Sequence, residues 1–394
     1  MTFSRRTDPR QRPDEPTNAL TRAVASRRAS GERVFDLTVS NPTRAGLAYD
    51  EEAIRAAISA PDALIYSPEP LGLPAARAAA AADYAAVGID LAPSRVALTA
   101  STSEAYAVLF KLLCDPGDDV LVPAPSYPLL AWLAAFEAVE LSTYPLAYAG
   151  GWHVDLGALR DAVGPRTRAI VVVSPNNPTG SYLRTDELEA MLDLGLPIIS
   201  DEVFARYPLS SPNDDRVLSV LAADRGLVFG LSGLSKLVGL PQLKLGWIAC
   251  GGDEARVVDD IERLDTVLDA YLSVGTPVQH ALPALLRAGE RTRAAIRART
   301  QANLETVRSL AGRAPAVSVL DVEGGWYATL RVPETQSDEE WALSLVEEDG
   351  VHVHPGYFFD MSRGAHLVVS LLTPEADLRE GMARIAARVA ADGS

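Results

Sequence analysis

Two short apolar runs constrain the fold of this chain more than any other feature. Residues 169–173 (Ala169, Ile170, Val171, Val172, Val173) and 196–200 (Leu196, Pro197, Ile198, Ile199, Ser200) show no polar/apolar alternation. A strand that is apolar on both faces must be covered on both, as in a parallel sheet sandwiched between helices. A helix-like stretch, 185–194, separates the two runs, and a third run, 226–229, follows them. Strand–helix alternation extends from about 95 to 251, so the sequence predicts a mostly parallel sheet with helices on both faces.

Each run empties into a polar motif. After 169–173 comes a loop of turn formers, 174–180, containing Asn177; after 196–200 come Asp201 and Glu202. After 226–229, Lys236 stands among small residues, and a second cation, Lys244, follows it. Motifs at the carboxyl ends of strands lie where ligands of open α/β sheets bind. Upstream, Ser101, Thr102 and Ser103 turn a strand into an amphipathic helix predicted over 105–113. Three hydroxyls exceed what one N-cap needs, and the helix start adds free N–H groups and the positive end of a dipole, a setting suited to phosphate. A lysine able to form a Schiff base, with a second cation and hydroxyls for a phosphate, is what pyridoxal 5′-phosphate requires.

Asn177, Asp201 and Lys236, in this order, resemble the fold-type I pyridoxal-phosphate enzymes, and within them the class I/II aminotransferases. The resemblance spans nearly the whole chain. It implies an α/β fold with a large cofactor-binding domain built on a mostly parallel central sheet, plus a smaller α+β domain. Residues 1–45 would form an N-terminal arm and part of the small domain, 46–285 the large domain and 286–394 the small one. Lys236 would bond the cofactor and then move the substrate proton. Asp201 would keep the pyridine nitrogen protonated, Asn177 would donate to the phenolic oxygen and Tyr127 would stack on the ring. Ser101, Thr102, Ser103, Ser235 and Lys244 would hold the phosphate. Tyr66 would reach across a homodimer interface to the neighbour's phosphate, so that active sites are shared. Ser40 and Trp326 would line the substrate pocket.

The chain departs from the family pattern at several of these positions. Lys244 stands where arginine is usual, and lysine meets phosphate without a bidentate fork. Phe204 replaces a tyrosine, removing one donor to the phenolic oxygen. Gly233 stands where some relatives carry serine, and Ser40 where glycine is usual. Val368, in the run 366–372, occupies the place of the arginine that clamps the substrate carboxylate; Arg44, Arg331 and Arg363 are the candidate replacements.

The implied reaction is a ping-pong transfer of an amino group from a small-molecule donor to a 2-oxo acid. The same fold hosts lyases acting on amino-acid side chains, and a binding relative without turnover is a third reading. Alanine or glutamate is the family's expected donor. Aspartate is disfavoured, because 268–273 offers an acid and no second cation. A net charge of −16 argues against nucleic acid and anionic membranes as partners. No apolar stretch reaches membrane-span length, and Arg5 and Arg6 lack the hydrophobic segment a twin-arginine signal needs, so a cytoplasmic protein is expected. Cys114 and Cys250 read as free thiols. His352 and His354 share a strand face without a third ligand, which disfavours a metal. An arm over 7–16 precedes the core, and an arginine-studded stretch, 287–310, reads as a surface helix with solvated charges.

Overall fold

The structure is a computed structural model that describes residues 6, 19–210, 215–361 and 363–392. Its frame is an eight-stranded sheet made of β1 (Val96–Thr99), β2 (Asp119–Ala124), β3 (Glu140–Tyr148), β4 (Trp152–Val154), β5 (Thr167–Val173), β6 (Ile198–Asp201), β7 (Leu227–Gly233) and β8 (Gly246–Gly252). The order across the sheet is β1-β8-β7-β6-β5-β2-β3-β4. The central pairs β3–β2, β2–β5, β5–β6 and β6–β7 are parallel, while β8 runs antiparallel to β7 and β1, and β4 antiparallel to β3.

Burial on both faces accounts for the parallel core. Ile170 and Ile198 face one apolar cluster, whereas Val171, Ile199 and Phe229 face another on the opposite side. Alternate residues of one strand thus serve two cores, as unbroken apolar runs demand. The long helix α1 (Thr102–Leu113) covers the second face with Ala105, Val108 and Leu109, and α2 (Thr185–Leu192) covers the first with Leu188, Met191 and Leu192.

A second layer closes over the carboxyl ends of the sheet. It holds a four-stranded antiparallel sheet of β9 (Ser318–Val319), β10 (Tyr327–Val332), β11 (His354–Pro355) and β12 (Ala365–Ser370), ordered β9-β10-β12-β11. The N-terminal helix Ala19–Ala29 and strand Phe35–Asp36 return to this layer: Phe35 pairs with Val351 in parallel, and Leu20, Val24 and Leu37 share a core with Leu378, Met382 and Ile385 of the last helix. The expected arm over 7–16 lies outside the described residues.

The arginine-studded stretch differs from its sequence reading. The helix Glu290–Ala311 buries Thr292, Ile296, Thr300, Asn303, Leu304, Val307 and Ala311 along one face. Ile296 packs in the cluster beside the site, and Leu304 and Val307 in the C-terminal core. Its arginines are only partly solvated: Arg293 meets Asp83 and Glu290, and Arg299 meets Glu375. The interspersed charges mask an apolar stripe that recurs every three or four residues. His352 pairs with Asp36, and His354 is half-buried and stacked on Phe358, its pKa pushed down to about 4 by desolvation. Both cysteines are free. No described helix is long and apolar enough to cross a membrane.

Candidate active site

The strand register brings the polar motifs to one edge. Val173 at the end of β5 is opposite Asp201 at the end of β6, and Asp201 is opposite Leu231 in β7. Gly233, at the end of β7, is opposite Gly246, which is also opposite Thr99 at the end of β1. The loop after β5, the acid after β6, the lysine after β7 and the hydroxyl turn after β1 therefore converge, with Lys244 two residues ahead of Gly246.

Lys236 sits in a single turn, Leu234–Leu237, launched from Gly233. A Cβ on Gly233 would come within 2.8 Å of Gly246 Cα and Leu245 O, so the serine that some relatives carry has no room here without a backbone shift. The Lys236 amine lies 5.2 Å from the centre of the Trp326 ring and 5.9 Å from that of Phe204. Burial lowers its pKa below the usual ammonium range, and the charge of Asp201 offsets part of that fall. Asp201 is itself raised to about 6 by burial, against the Val203 N–H, the Tyr106 hydroxyl and Lys236. Val203 N donates to Asp201 Oδ1 at 3.2 Å, and Tyr106 Oη to Oδ2 at 3.3 Å.

The loop after β5 is braced by its first asparagine and leaves the second free. Asn176 Nδ2 donates to Pro125 O at 3.0 Å and to Thr179 Oγ1 at 2.9 Å. Asn177, by contrast, carries a buried Oδ1 with no partner among the described residues. A buried amide oxygen left bare costs free energy, which a polar ligand atom would recover.

At the hydroxyl turn, α1 begins at Thr102 rather than Ala105, because Ser101 caps it. Its Oγ accepts from Glu104 N at 3.2 Å, and the Glu104 carboxylate accepts from Ala100 N. One of the three hydroxyls is thus spent on capping, while Thr102 and Ser103 form no such bond. A Cβ on Gly246 would meet Ser101 C at 3.1 Å and Thr102 N at 3.2 Å, so strand β8 approaches the helix start as only glycine allows. Lys244 stands just before it in the left-handed region, with φ 51°. Ser235, partly exposed, precedes Lys236 on the same turn.

The remaining sequence candidates divide. Trp326 is fully buried, 5.2 Å ring to ring from both Phe204 and Tyr207, and its indole N–H finds no acceptor among the described residues. It is a core residue that also forms the wall facing Lys236. Ser40 bonds the Tyr327 hydroxyl, so its side chain is already engaged. Tyr127 is 45% exposed beside Phe358 and Phe359. Tyr66 is 72% exposed, next to Leu64 and Ile65.

Val368 is fully buried opposite Thr329 and His354, in one apolar cluster with Phe204, Trp326 and Phe359. None of the three candidate arginines replaces the missing cation there. Arg331 is exposed over the Tyr148 ring, and Arg44 and Arg363 are exposed in turns.

Three contributors escaped sequence reading. Tyr106 supports Asp201. Tyr207 Oη donates to Lys236 O at 2.7 Å and to Leu237 O at 3.1 Å, fixing the turn that carries the lysine. Glu202, 4% exposed, is pushed up to about 7 by burial and accepts from Val220 N at 2.9 Å. All three contacts join residues far apart in the chain, 95, 29 and 18 positions, and no local spacing announces them.

Residues 32–385 match the family model for aminotransferase class I and II. The alanine aminotransferase of Mycobacterium tuberculosis is 27% identical over 375 residues, covering 91% of this chain and 86% of that protein. The glutamate-pyruvate aminotransferase AlaA of Escherichia coli K12 is 29% identical over 262 residues, 65% of this chain and 64% of that one. Among solved structures, an alanine aminotransferase from Pyrococcus furiosus superposes with a TM-score of 0.86 at 25% identity, covering 98% of this chain and 99% of that one. An aspartate aminotransferase from Thermotoga maritima shares the fold, with a TM-score of 0.82 at 22% identity and coverage of 98% and 99%.

Proposed function

The chain belongs to the class I and II aminotransferase family, and we propose that the cleft around Lys236 is where it transfers an amino group from an amino acid to a 2-oxo acid. The observation that carries this reading is Lys236 itself: a lysine of depressed pKa, walled by Phe204 and Trp326 and coupled to Asp201. Pyridoxal phosphate, when bound, supplies the electron sink for the transfer. The residues present fit it. The Asn177 side chain has no partner among the described residues, so its amide N–H would be available to the phenolic oxygen; the Ser101–Thr102 turn offers a helix start beside Lys244, and Asp201 would hold a proton on a ring nitrogen.

In this assignment Lys236 Nζ takes the proton from the substrate α-carbon and returns it, a task for which an amine of lowered pKa is suited. Asp201 keeps its charge opposite a protonated nitrogen. Asn177 would hold the phenolic oxygen, and Tyr127 would stack on the ring. Thr102, Ser103, Ser235 and Lys244 hold the phosphate, with Ser101 shaping the turn. The aromatic wall of Phe204 and Trp326 keeps water from the amine.

Leu64, Ile65 and Tyr66 project together, 92%, 62% and 72% exposed, an apolar patch that a second copy of the chain would cover. The proposal is accordingly a homodimer in which Tyr66 reaches the partner's phosphate. The net charge of −16 and the absence of a membrane-length apolar helix among the described residues support a cytoplasmic enzyme. Alanine and glutamate are the proposed donors, after the relatives named for them. Ser40 and Trp326 bound the substrate pocket, whose far wall at Val368 is apolar.

The test is an absorbance spectrum of the pyridoxal-phosphate-loaded protein as single donors are added. A change produced by alanine or glutamate and reversed by a 2-oxo acid is the expected result. Release of ammonia and pyruvate without reversal would replace the reading by that of a lyase.

A further inference from the structure

We propose that a cleft lined by Arg206, Arg216, Arg293 and Arg297 binds a small organic anion carrying two or more carboxylate or phosphate groups. It has a volume of about 450 Å³ and shares no lining residue with the set assigned to the cofactor. That volume falls within the range of small-molecule sites, roughly 300–1,000 Å³. Trp326, on the Lys236 wall, packs on Phe204 and on Tyr207, which follows Arg206 in the chain.

The charge in the cleft is the reverse of that of the molecule. The chain carries a net charge of −16, yet four guanidinium groups and no carboxylate are among the described lining residues. The acids that steady these arginines are not among the described lining residues. Asp83 Oδ1 is 3.1 Å from Arg206 and 3.5 Å from Arg293, Glu290 also meets Arg293, and Glu323 lies 2.7 Å from Arg216. Glu323 is shared with Arg184, so its single charge is divided between two cations. The guanidinium of Arg297 has no ion pair or hydrogen bond among the described residues. The arrangement leaves positive charge facing an open volume, the condition under which a bound anion is attracted and specified.

The cleft is built rather than incidental. The side chain of Arg216 is only 7% exposed, held by Glu323 through Nε at 2.9 Å and by Ser210 Oγ through Nη2 at 2.8 Å, and it lies over the Tyr182 ring. Arg206 also donates to Asp83 O at 2.7 Å. A guanidinium offers five N–H groups in a fixed fork, so Arg297, which no described residue engages, has them all to present. Anchoring removes much of the side-chain entropy that binding would otherwise cost. One carboxylate or phosphate would meet one or two of these forks. Four arginines around a single cleft call for an anion with more than one such group.

The test is calorimetric titration of the pyridoxal-phosphate-loaded protein at low salt with two probes, citrate and inorganic pyrophosphate. Loading fills the cofactor's own phosphate site, and the inference does not depend on the enzyme's donor. Binding of at least one probe is expected, and the probe that binds tells carboxylate from phosphate chemistry. Arg297→Gln should weaken it roughly tenfold, as loss of a charge-assisted fork implies, whereas Arg331→Gln, on the distant β10 surface, should leave it unchanged. Arg297 is exposed, so an unaltered thermal midpoint without probe will confirm that the variant folds. Absence of binding by both probes, or binding that Arg297→Gln leaves unaltered, would overturn the proposal.

Discussion

Glu202 is a buried carboxylate that the fold tolerates at a measurable cost, and Glu202→Gln isolates that cost. Burial raises its pKa from 4.5 to about 7, against hydrogen bonds from Ser219 and Val220. The folded protein therefore holds the proton more tightly than the unfolded chain, so stability falls as pH rises from 4.5 through about 7 and then levels off. A shift of about 2.5 units corresponds to about 3 kcal/mol at 1.36 kcal/mol per unit. Glutamine keeps an oxygen for Val220 N and carries no charge, so the variant escapes the loss. With an unfolding entropy of about 2.1 cal/mol/K per residue over 394 residues, 3 kcal/mol amounts to about 4 °C. Thermal unfolding of cofactor-free protein should give equal midpoints for variant and parent at pH 4, and a variant higher by about 4 °C at pH 9. An offset that is the same at both pH values would refute the assignment of the cost to ionisation.

Two further substitutions probe the walls of the site. Val368→Arg places an unpaired cation in a fully buried apolar cluster, and should cost about 3–5 kcal/mol in denaturant unfolding; unchanged stability would show that an anionic partner reaches this position. Phe204→Tyr adds a hydroxyl on the wall 5.9 Å from Lys236, and the midpoint of the bound cofactor's absorbance titration should move to lower pH; a midpoint that stays put would remove Phe204 from the account of the site's acidity.

The carboxyl-end motifs were legible because each follows a strand whose apolar run has no alternation. Asn177, Asp201 and Lys236 could be placed on one sheet edge before any coordinates, since parallel strands put their ends together. The start of α1 was misjudged by three residues, because Ser101 both caps the helix and belongs to the hydroxyl cluster. The helix Glu290–Ala311 read as solvated because its arginines outweigh the apolar stripe in any local average. Tyr106 and Tyr207 act on residues 95 and 29 positions away, and no local pattern encodes such pairings. The replacement of the carboxylate clamp by Val368 was visible as a departure. What surrounds it was not, since its neighbours Thr329, His354 and Phe204 come from three separate segments.

The central claim is that Lys236 carries the cofactor, and the chain makes it unusually easy to test. It contains three lysines, Lys111, Lys236 and Lys244, and Lys111 is engaged with Glu137 at 2.5 Å. Borohydride reduction of the pyridoxal-phosphate-loaded protein, followed by peptide mass spectrometry, will locate the attachment. The account predicts the phosphopyridoxyl group on Lys236 alone, with Lys236→Ala left unlabelled. Attachment to Lys244 or Lys111, or labelling that survives Lys236→Ala, would contradict it.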